Sequence, residues 1–178
     1  MKNVVVISST PRVGGNSEIL ANEFAKGAIE SGHNVEVVKL RDYNLKYCIG
    51  CYSCQKTGKC VFNDGMQELI DKLLKADVIV FATPVYFYSM SSWLKVFIDR
   101  LVPCYEDIRA DIYLIATQWD PDKEIMENTL NSIRGCTRDC FENCTEKGVI
   151  YGVGLTDLGD ANKNKELLQE AYIMGKNI

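Results

Sequence analysis

The stretch from Val4 to Ser17, V-V-V-I-S-S-T-P-R-V-G-G-N-S, permits very few local structures. Four β-branched residues, Val4 to Ile7, read as a short buried strand. A polar loop with two glycines follows. From Ser17 to Ile29 the apolar residues Ile19, Leu20, Phe24, Ala25 and Ala28 recur with a period near 3.6, which predicts a helix. Strand, tight polar loop and helix N-terminus together form a geometry that binds phosphate. The first amides of a helix lack internal partners and carry partial positive charge. Ser8, Ser9, Thr10, Asn16 and Ser17 add small polar groups, Gly15 allows close approach, and Arg12 adds a fork of fixed donors. Asn16 and Ser17 alone would be helix caps. With hydroxyls on both sides of Arg12 and two adjacent glycines, the stretch reads as a phosphate loop. It contains neither Gly-Lys-Ser/Thr nor G-x-G-x-x-G, which excludes the usual nucleoside-triphosphate and dinucleotide loops.

The same alternation continues along the chain. The first helix stops at Ser31-Gly32-His33-Asn34, and His33 reads as a surface residue of that turn. Further strands are expected at Val35–Leu40 (near a sheet edge), Ala76–Thr83, Ile112–Thr117 and Val149–Val153. Helices are expected at Met66–Lys75, Ser92–Leu101, Glu124 to about Cys144, and Asn162–Lys176. Apolar strands alternating with helices predict an α/β protein with one parallel sheet covered on both faces. A phosphate loop after the first of five strands points to the order 2-1-3-4-5, with the ligand at the carboxyl ends of strands one and three. The 178 residues suit a single domain over 1–178. A net charge of −4 without any basic run argues against nucleic acid as a partner. Neither a leader nor an apolar stretch of membrane-spanning length is evident, so a cytoplasmic location is expected and a membrane partner is not. In that reducing setting the eight cysteines are not expected to pair as disulfides.

Three loops converge in this arrangement: Ser8–Ser17, Thr83–Ser89 and Thr117–Asp122. The second contains Tyr86, Phe87 and Tyr88 in succession, unusual for a solvent loop. These rings either pack on the domain or a subunit interface, or they meet a flat ligand beside the phosphate site. A phosphate and a planar ring together describe a mononucleotide, with FMN the leading candidate.

Cys48, Cys51, Cys54 and Cys60 form C-x2-C-x2-C-x5-C. Four thiolates so close in sequence suit a [4Fe–4S] cluster, a structural zinc, or a set of free thiols. Gly50 and Gly58 supply turns. Cys136, Cys140 and Cys144 recur every four residues. On one helix they would form a stripe, read as a buried small-residue face with a second metal site as the alternative. Cys104 has no assigned role.

S-T-P-R-V-G-G-N-S resembles the G-S-P-R-x-x-G-N-T loop of the NAD(P)H-dependent FMN reductase branch of flavodoxin-like proteins, with Ser9 where that branch often has Gly. T-P-V-Y-F is similar to its isoalloxazine loop, W-L-K-V-F-I-D-R (Trp93–Arg100) to the following helix, and Gly152-x-Gly154 with Gly159-Asp160 to its C-terminal pattern. The resemblance implies a flavodoxin-like three-layer sandwich with a five-stranded parallel sheet. It places the FMN phosphate on Thr10, Arg12, Asn16 and Ser17, with Ser9 and Gly15 in the same loop. The flavin ring would lie on Pro84, Val85, Tyr86 and Phe87, after Thr83, with Thr117 and Gln118 on its other side. The cysteine spacing resembles that of the iron–sulfur flavoproteins, which bind FMN and a [4Fe–4S] cluster and assemble as oligomers. Similar loops ending in C-V-x-x-D-D-M occur in FMN reductases, and this chain reads C-V-F-N-D-G-M. The insertion would span about 46–62 of a single FMN-binding domain.

The expectation is an FMN oxidoreductase that takes hydride from NAD(P)H and needs no catalytic side chain. Electrons would pass to a small-molecule oxidant, or through a [4Fe–4S] cluster to a ferredoxin or other electron-transfer partner. A homodimer or homotetramer would cover the aromatic loop and Trp93. The alternatives are a cluster-free quinone, nitro or azo reductase, a non-catalytic flavodoxin-type electron carrier, and a zinc-stabilised interaction module without flavin.

Overall fold

The computed structural model describes residues 1–178. Its sheet separates two cores, and the first strand shows why. In β1 (Asn3–Ser8), Val4 and Val6 point into one core and Val5 and Ile7 into the other. A strand apolar on both faces must be covered on both. One face is covered by α1 (Asn16–Glu30) and α6 (Lys165–Lys176), through Leu20, Phe24, Leu167 and Ala171. The other is covered by α3 (Met66–Leu73), α4 (Ser92–Asp99) and α5 (Lys123–Thr137), through Leu69, Phe97 and Leu130. The remaining elements are β2 (Asn34–Lys39), α2 (Ser53–Thr57), β3 (Val78–Tyr86), β4 (Ser89–Met90), β5 (Asp111–Thr117) and β6 (Thr145–Gly152).

The sheet path is β2-β1-β3-β5-β6, all parallel, with β2 at one edge. The parallel α/β sheet is as expected, but the strand count is six rather than five. The additional strand, β4, pairs antiparallel with the end of β3, Val85 opposite Met90 and Tyr86 opposite Ser89. What read as a loop after Pro84 is therefore a hairpin. Pro84 stays inside β3 because a parallel partner, Thr117, lies beside it without needing its missing N–H.

Two more expectations are corrected. Helix α5 ends at Thr137, not near Cys144. Its last carbonyls turn the chain: Arg134 O accepts from the amides of Arg138 and Asp139, and Cys136 O from those of Cys140 and Phe141. Phe141 is then fully buried. The cysteine stripe is thereby dispersed, with Cys136 on α5, Cys140 exposed in the turn and Cys144 just before β6. Strand β6 begins at Thr145 rather than Val149, where its polar first residues are tolerated at a sheet edge. Burial pushes the Cys104 and Cys136 thiols up to about 12, and both pack as apolar groups in or against the core. His33 is half-buried, and its Nδ1 accepts from the Lys2 amide at 3.0 Å.

Helices α1 and α6 meet backbone to backbone. A Cβ at Gly175 would lie 1.9 Å from Phe24 O, and one at Gly27 would lie 2.1 Å from Tyr172 O. Only glycine fits at either crossing point.

The cysteine segment is attached by one buried cation. Arg100, just after α4, is 2% exposed. Its guanidinium donates to both Asp64 carboxylate oxygens, at 2.9 and 3.1 Å, and to Lys46 O at 2.6 Å. The Lys46 amide donates to Asp64 Oδ2 at 2.8 Å. Lys46 opens the segment and Asp64 lies just past its end, so Arg100 closes its neck. Phe62 covers the guanidinium at 5.3 Å from its ring centroid, and Cys60 lies against the same group. Burial, the largest influence, would raise the Asp64 carboxyl; the Arg100 hydrogen bonds and charge, with the Lys46 and Met66 amides, together outweigh it and hold it below the ordinary carboxylate range.

Gly175→Ala is expected to lower stability by about 1–3 kcal/mol, since the helices must move apart to admit a methyl group. Urea unfolding measures it, and an unchanged midpoint would contradict the close crossing. Arg100→Leu strands the Asp64 carboxylate and is expected to cost about 3–5 kcal/mol, whereas Arg100→Leu combined with Asp64→Leu should recover most of the loss. A double-mutant cycle in urea tests the pair, with equal losses in the single and double variants as the contrary result.

Candidate functional site

Strand order reverses between β1 and β3. The chain leaves β1 toward β2 on one side and continues from β3 through β5 to β6 on the other. A crevice therefore opens at the carboxyl ends of β1 and β3. Its floor is tied by hydrogen bonds. The Ser9 amide and hydroxyl both donate to Ala82 O at 2.9 Å. The Ser91 hydroxyl donates to Ser9 O at 2.9 Å, and the Ser91 amide donates to Thr83 Oγ1 at 3.0 Å. Ser91 also caps α4 by accepting from the Leu94 amide. Ser91 escaped the sequence reading, although a Ser before an apolar helical run is a cap signal.

On one side of the crevice is the N-terminus of α1. Helices α4, α5 and α6 are capped by the side chains of Ser91, Asp122 and Asn164. Helix α1 begins at Gly15 with no side-chain cap. The amides of Asn16, Ser17 and Glu18 have no hydrogen-bond partner in the chain. Ser17 Oγ is buried and likewise unpaired. A Cβ at Gly15 would fall 2.6 Å from Thr10 Oγ1, so the hollow requires glycine there. Arg12 is exposed, with no ion pair or side-chain hydrogen bond. Oriented amides and an unpaired hydroxyl at a helix start, with an exposed guanidinium in the same loop, are groups suited to an anion. Of Asn16 only the backbone amide is free, because its side chain is engaged elsewhere. Its Nδ2 donates to Asp157 O at 3.0 Å and its Oδ1 accepts from the Ala161 amide at 3.1 Å, tying the loop after β6 to α1. Thr10 Oγ1 accepts from the Arg12 amide at 3.3 Å and shapes the loop.

Opposite lies the β3–β4 hairpin. Thr83 and Pro84 are buried, Val85 is half-buried, and Tyr86 is 40% exposed. Phe87 and Tyr88 form the tip with φ of 48° and 60°, the pattern of a type I′ turn. Such turns ordinarily take Asn-Gly. Two aromatic residues there cost on the order of 1–3 kcal/mol each in backbone strain. Phe87 is nonetheless fully exposed and Tyr88 largely so. Beyond β5, Thr117 and Gln118 are buried. Gln118 Nε2 donates to Asp120 O and Asp122 O at 3.0 and 2.6 Å, while its Oε1 is buried and unpaired. Trp119 beside it is 69% exposed. The loops from Ser9 to Ser17, Thr83 to Phe87 and Thr117 to Gln118 thus meet at one end of the sheet.

The four cysteines expected as metal ligands do not meet. Cys48 and Cys51 are exposed, Cys54 and Cys60 are half-buried, and all four are free. No three Cys, His, Asp or Glu side chains are placed to hold a metal ion. The reason is local. Left-handed residues at Gly50, Tyr52 and Gly58 swing the chain around the short α2, while Cys60 is drawn toward Arg100 at the neck. As placed here, the four sulfurs do not form a group that holds a metal ion.

The family model for NADPH-dependent FMN reductases matches residues 2–115. An iron-sulfur flavoprotein of Methanocaldococcus jannaschii is 39% identical over 100 residues, covering 56% of this chain and 52% of that one. The chain spans about half the length of the curated relatives it matches. Among solved structures, an azoreductase from Bacillus anthracis superposes with a TM-score of 0.74 at 16% identity, covering 100% of both chains. An NAD(P)H:quinone oxidoreductase from Methanothermobacter marburgensis gives 0.74 at 19% identity, over 99% of this chain and 96% of that one. At those identities the two structures establish a shared flavodoxin-like fold. No helix is long and apolar enough to cross a membrane. With the family match running from the start of β1 into β5, the chain belongs to the NADPH-dependent FMN reductase family.

Proposed function

We propose that this chain is an FMN-dependent NAD(P)H oxidoreductase, with residues 1–178 forming a single FMN-binding domain that carries the cysteine segment as an insertion. The observation that carries this reading is the uncapped start of α1: three unpartnered amides and the unpaired, buried Ser17 hydroxyl, with the exposed Arg12 in the loop just before them. These donors fit the phosphate of FMN. The ring would lie between Pro84–Phe87 and Thr117–Gln118, where Gln118 Oε1 offers a buried acceptor. Bound FMN would supply hydride and electron transfer. The residues of this chain bind and orient it; Ser9, Ser91 and Thr83 fix the crevice, and no side-chain acid or base is assigned. The electron acceptor is a small oxidant such as a quinone, nitro or azo compound.

A second copy of the chain is proposed to cover the exposed rings of Phe87, Tyr88 and Trp119, as a homodimer or homotetramer. A second reading, an iron–sulfur flavoprotein, is supported by the four-cysteine spacing and by the name of the M. jannaschii relative. As held here, the sulfurs would first have to be drawn together.

The first test is an absorption spectrum of protein purified without oxygen, with iron and sulfide assays on the same sample. Flavin bands are expected, and no flavin even after adding FMN would overturn the reading. Iron with sulfide would favour the second reading. Arg12→Ala is expected to weaken FMN about tenfold or more and riboflavin hardly at all, since one charge-assisted phosphate contact is lost. Fluorescence titration measures both, and equal affinity of wild type and variant for FMN would remove Arg12 from the site. Stopped-flow reduction by NADH or NADPH separates an enzyme from an electron carrier, which would be reduced only slowly.

A further inference from the structure

Glu18, in the first turn of α1, is a buried carboxylate next to the amides that face the crevice, and only 4% exposed. A negative charge there opposes an anionic ligand, all the more in surroundings with little water. Its partners answer this. Glu18 Oε2 accepts from Arg41 Nη1 at 2.8 Å and Oε1 from Nη2 at 2.7 Å, a two-pronged pair. Lys39 Nζ lies 3.2 Å from Oε1. Both cations come from the carboxyl end of β2 and the turn after it. The Arg41 hydrogen bonds are the largest influence on the Glu18 carboxyl and hold it at about 2, so it is ionised at neutral pH. The remaining contact goes to the loop, where the Gly14 amide donates to Oε2 at 3.0 Å. Gly14 has φ of +70° and sets the bend just before the helix.

In a capping box, a Glu at this helix position reaches back to the amide of the cap residue. Glu18 reaches one residue further, to Gly14, and holds the bend, while the Gly15 amide donates to Arg12 O and the amides of Asn16, Ser17 and Glu18 stay unpartnered. A neutral side chain would hold the bend without the bond to β2. An unpaired carboxylate would hold it but repel an anion.

We propose that Glu18 is the positioning residue of the β1–α1 loop and that Arg41 and Lys39 neutralise it from β2, so that the loop favours a phosphorylated over an unphosphorylated flavin. The selectivity part rests on the FMN reading of the site; the positioning part does not.

The test has two readouts. In flavin-free protein, NMR amide exchange at Gly14 is expected to accelerate about tenfold or more in Glu18→Ala and to stay within about threefold of wild type in Glu18→Gln, which keeps an acceptor oxygen. In flavin titrations, Arg41→Ala is expected to weaken FMN about tenfold or more while changing riboflavin less than about twofold, because the carboxylate, left with Lys39 alone and without its two-pronged partner, meets only the phosphate. Adding Glu18→Gln to Arg41→Ala should restore most of the FMN affinity. Should Arg41→Ala fail to fold, Arg41→Lys keeps the charge without the fork and should fall between it and wild type. Unchanged Gly14 exchange in Glu18→Ala overturns the positioning role. Equal losses of FMN and riboflavin in Arg41→Ala overturn the neutralising role. Accelerated exchange in Glu18→Ala, in a protein whose wild type binds neither flavin, would retain the positioning role and overturn the FMN reading.

Discussion

Three backbone amides at the start of α1 have no partner, and the surrounding loops are arranged to keep them so. The other long helices of the C-terminal half close their first turns with side chains. Here the cap position is Gly15, and a side chain on it would collide with Thr10. Asn16, an ordinary capping residue by type, spends its amide group on the loop after β6. Glu18 spends its carboxylate on Gly14 and two cations. Each polar side chain of the first turn has another engagement except Ser17. The donors of this helix end thus survive folding without an internal partner.

The crevice depends equally on what fixes the strand ends. Ser9, Ala82, Thr83 and Ser91 form a short polar lock across β1, β3 and the start of α4. Beyond the lock, the hairpin tip holds Phe87 and Tyr88 in left-handed conformations that aromatic residues rarely adopt. Strain of this kind persists where the surrounding structure over-determines it. Pairing with β3 and the buried Met90 provide that restraint. Farther out, Arg100 fixes the neck of the cysteine segment and leaves its cysteines on a short arm of chain.

The sequence was most legible where the determinants are neighbours along the chain. The strand, loop and helix of residues 4–29 follow from β-branched residues, glycines and a helical period, and appear nearly at the expected boundaries. The parallel sheet was legible because buried strands leave continuous apolar runs. The hairpin was not, because its turn lacks the Asn-Gly pair that announces one. Nor was the end of α5, where Phe141 is drawn into the core against an unbroken helical pattern. The engagements of Asn16 with Asp157 and Ala161, and of Arg100 with Asp64, join residues distant in sequence, and no local pattern signals them. Cysteine spacing records that four thiols are near one another along the chain. It does not record where a short helix and three left-handed residues will point them.

The glycine crossing of α1 and α6 bears on how the protein matures. Helix α1 lies early in the chain, but the surface that locks its backbone in place begins only at Lys165. During synthesis the N-terminal segments emerge first, and contacts between distant segments form last. A nascent chain that has made β1, α1 and β2 therefore has the donors of the anion hollow but not yet the wall that holds them. The end of the molecule proposed to bind flavin is among its first residues to be made and among its last to become rigid, so on that proposal flavin would load only after α6 has docked.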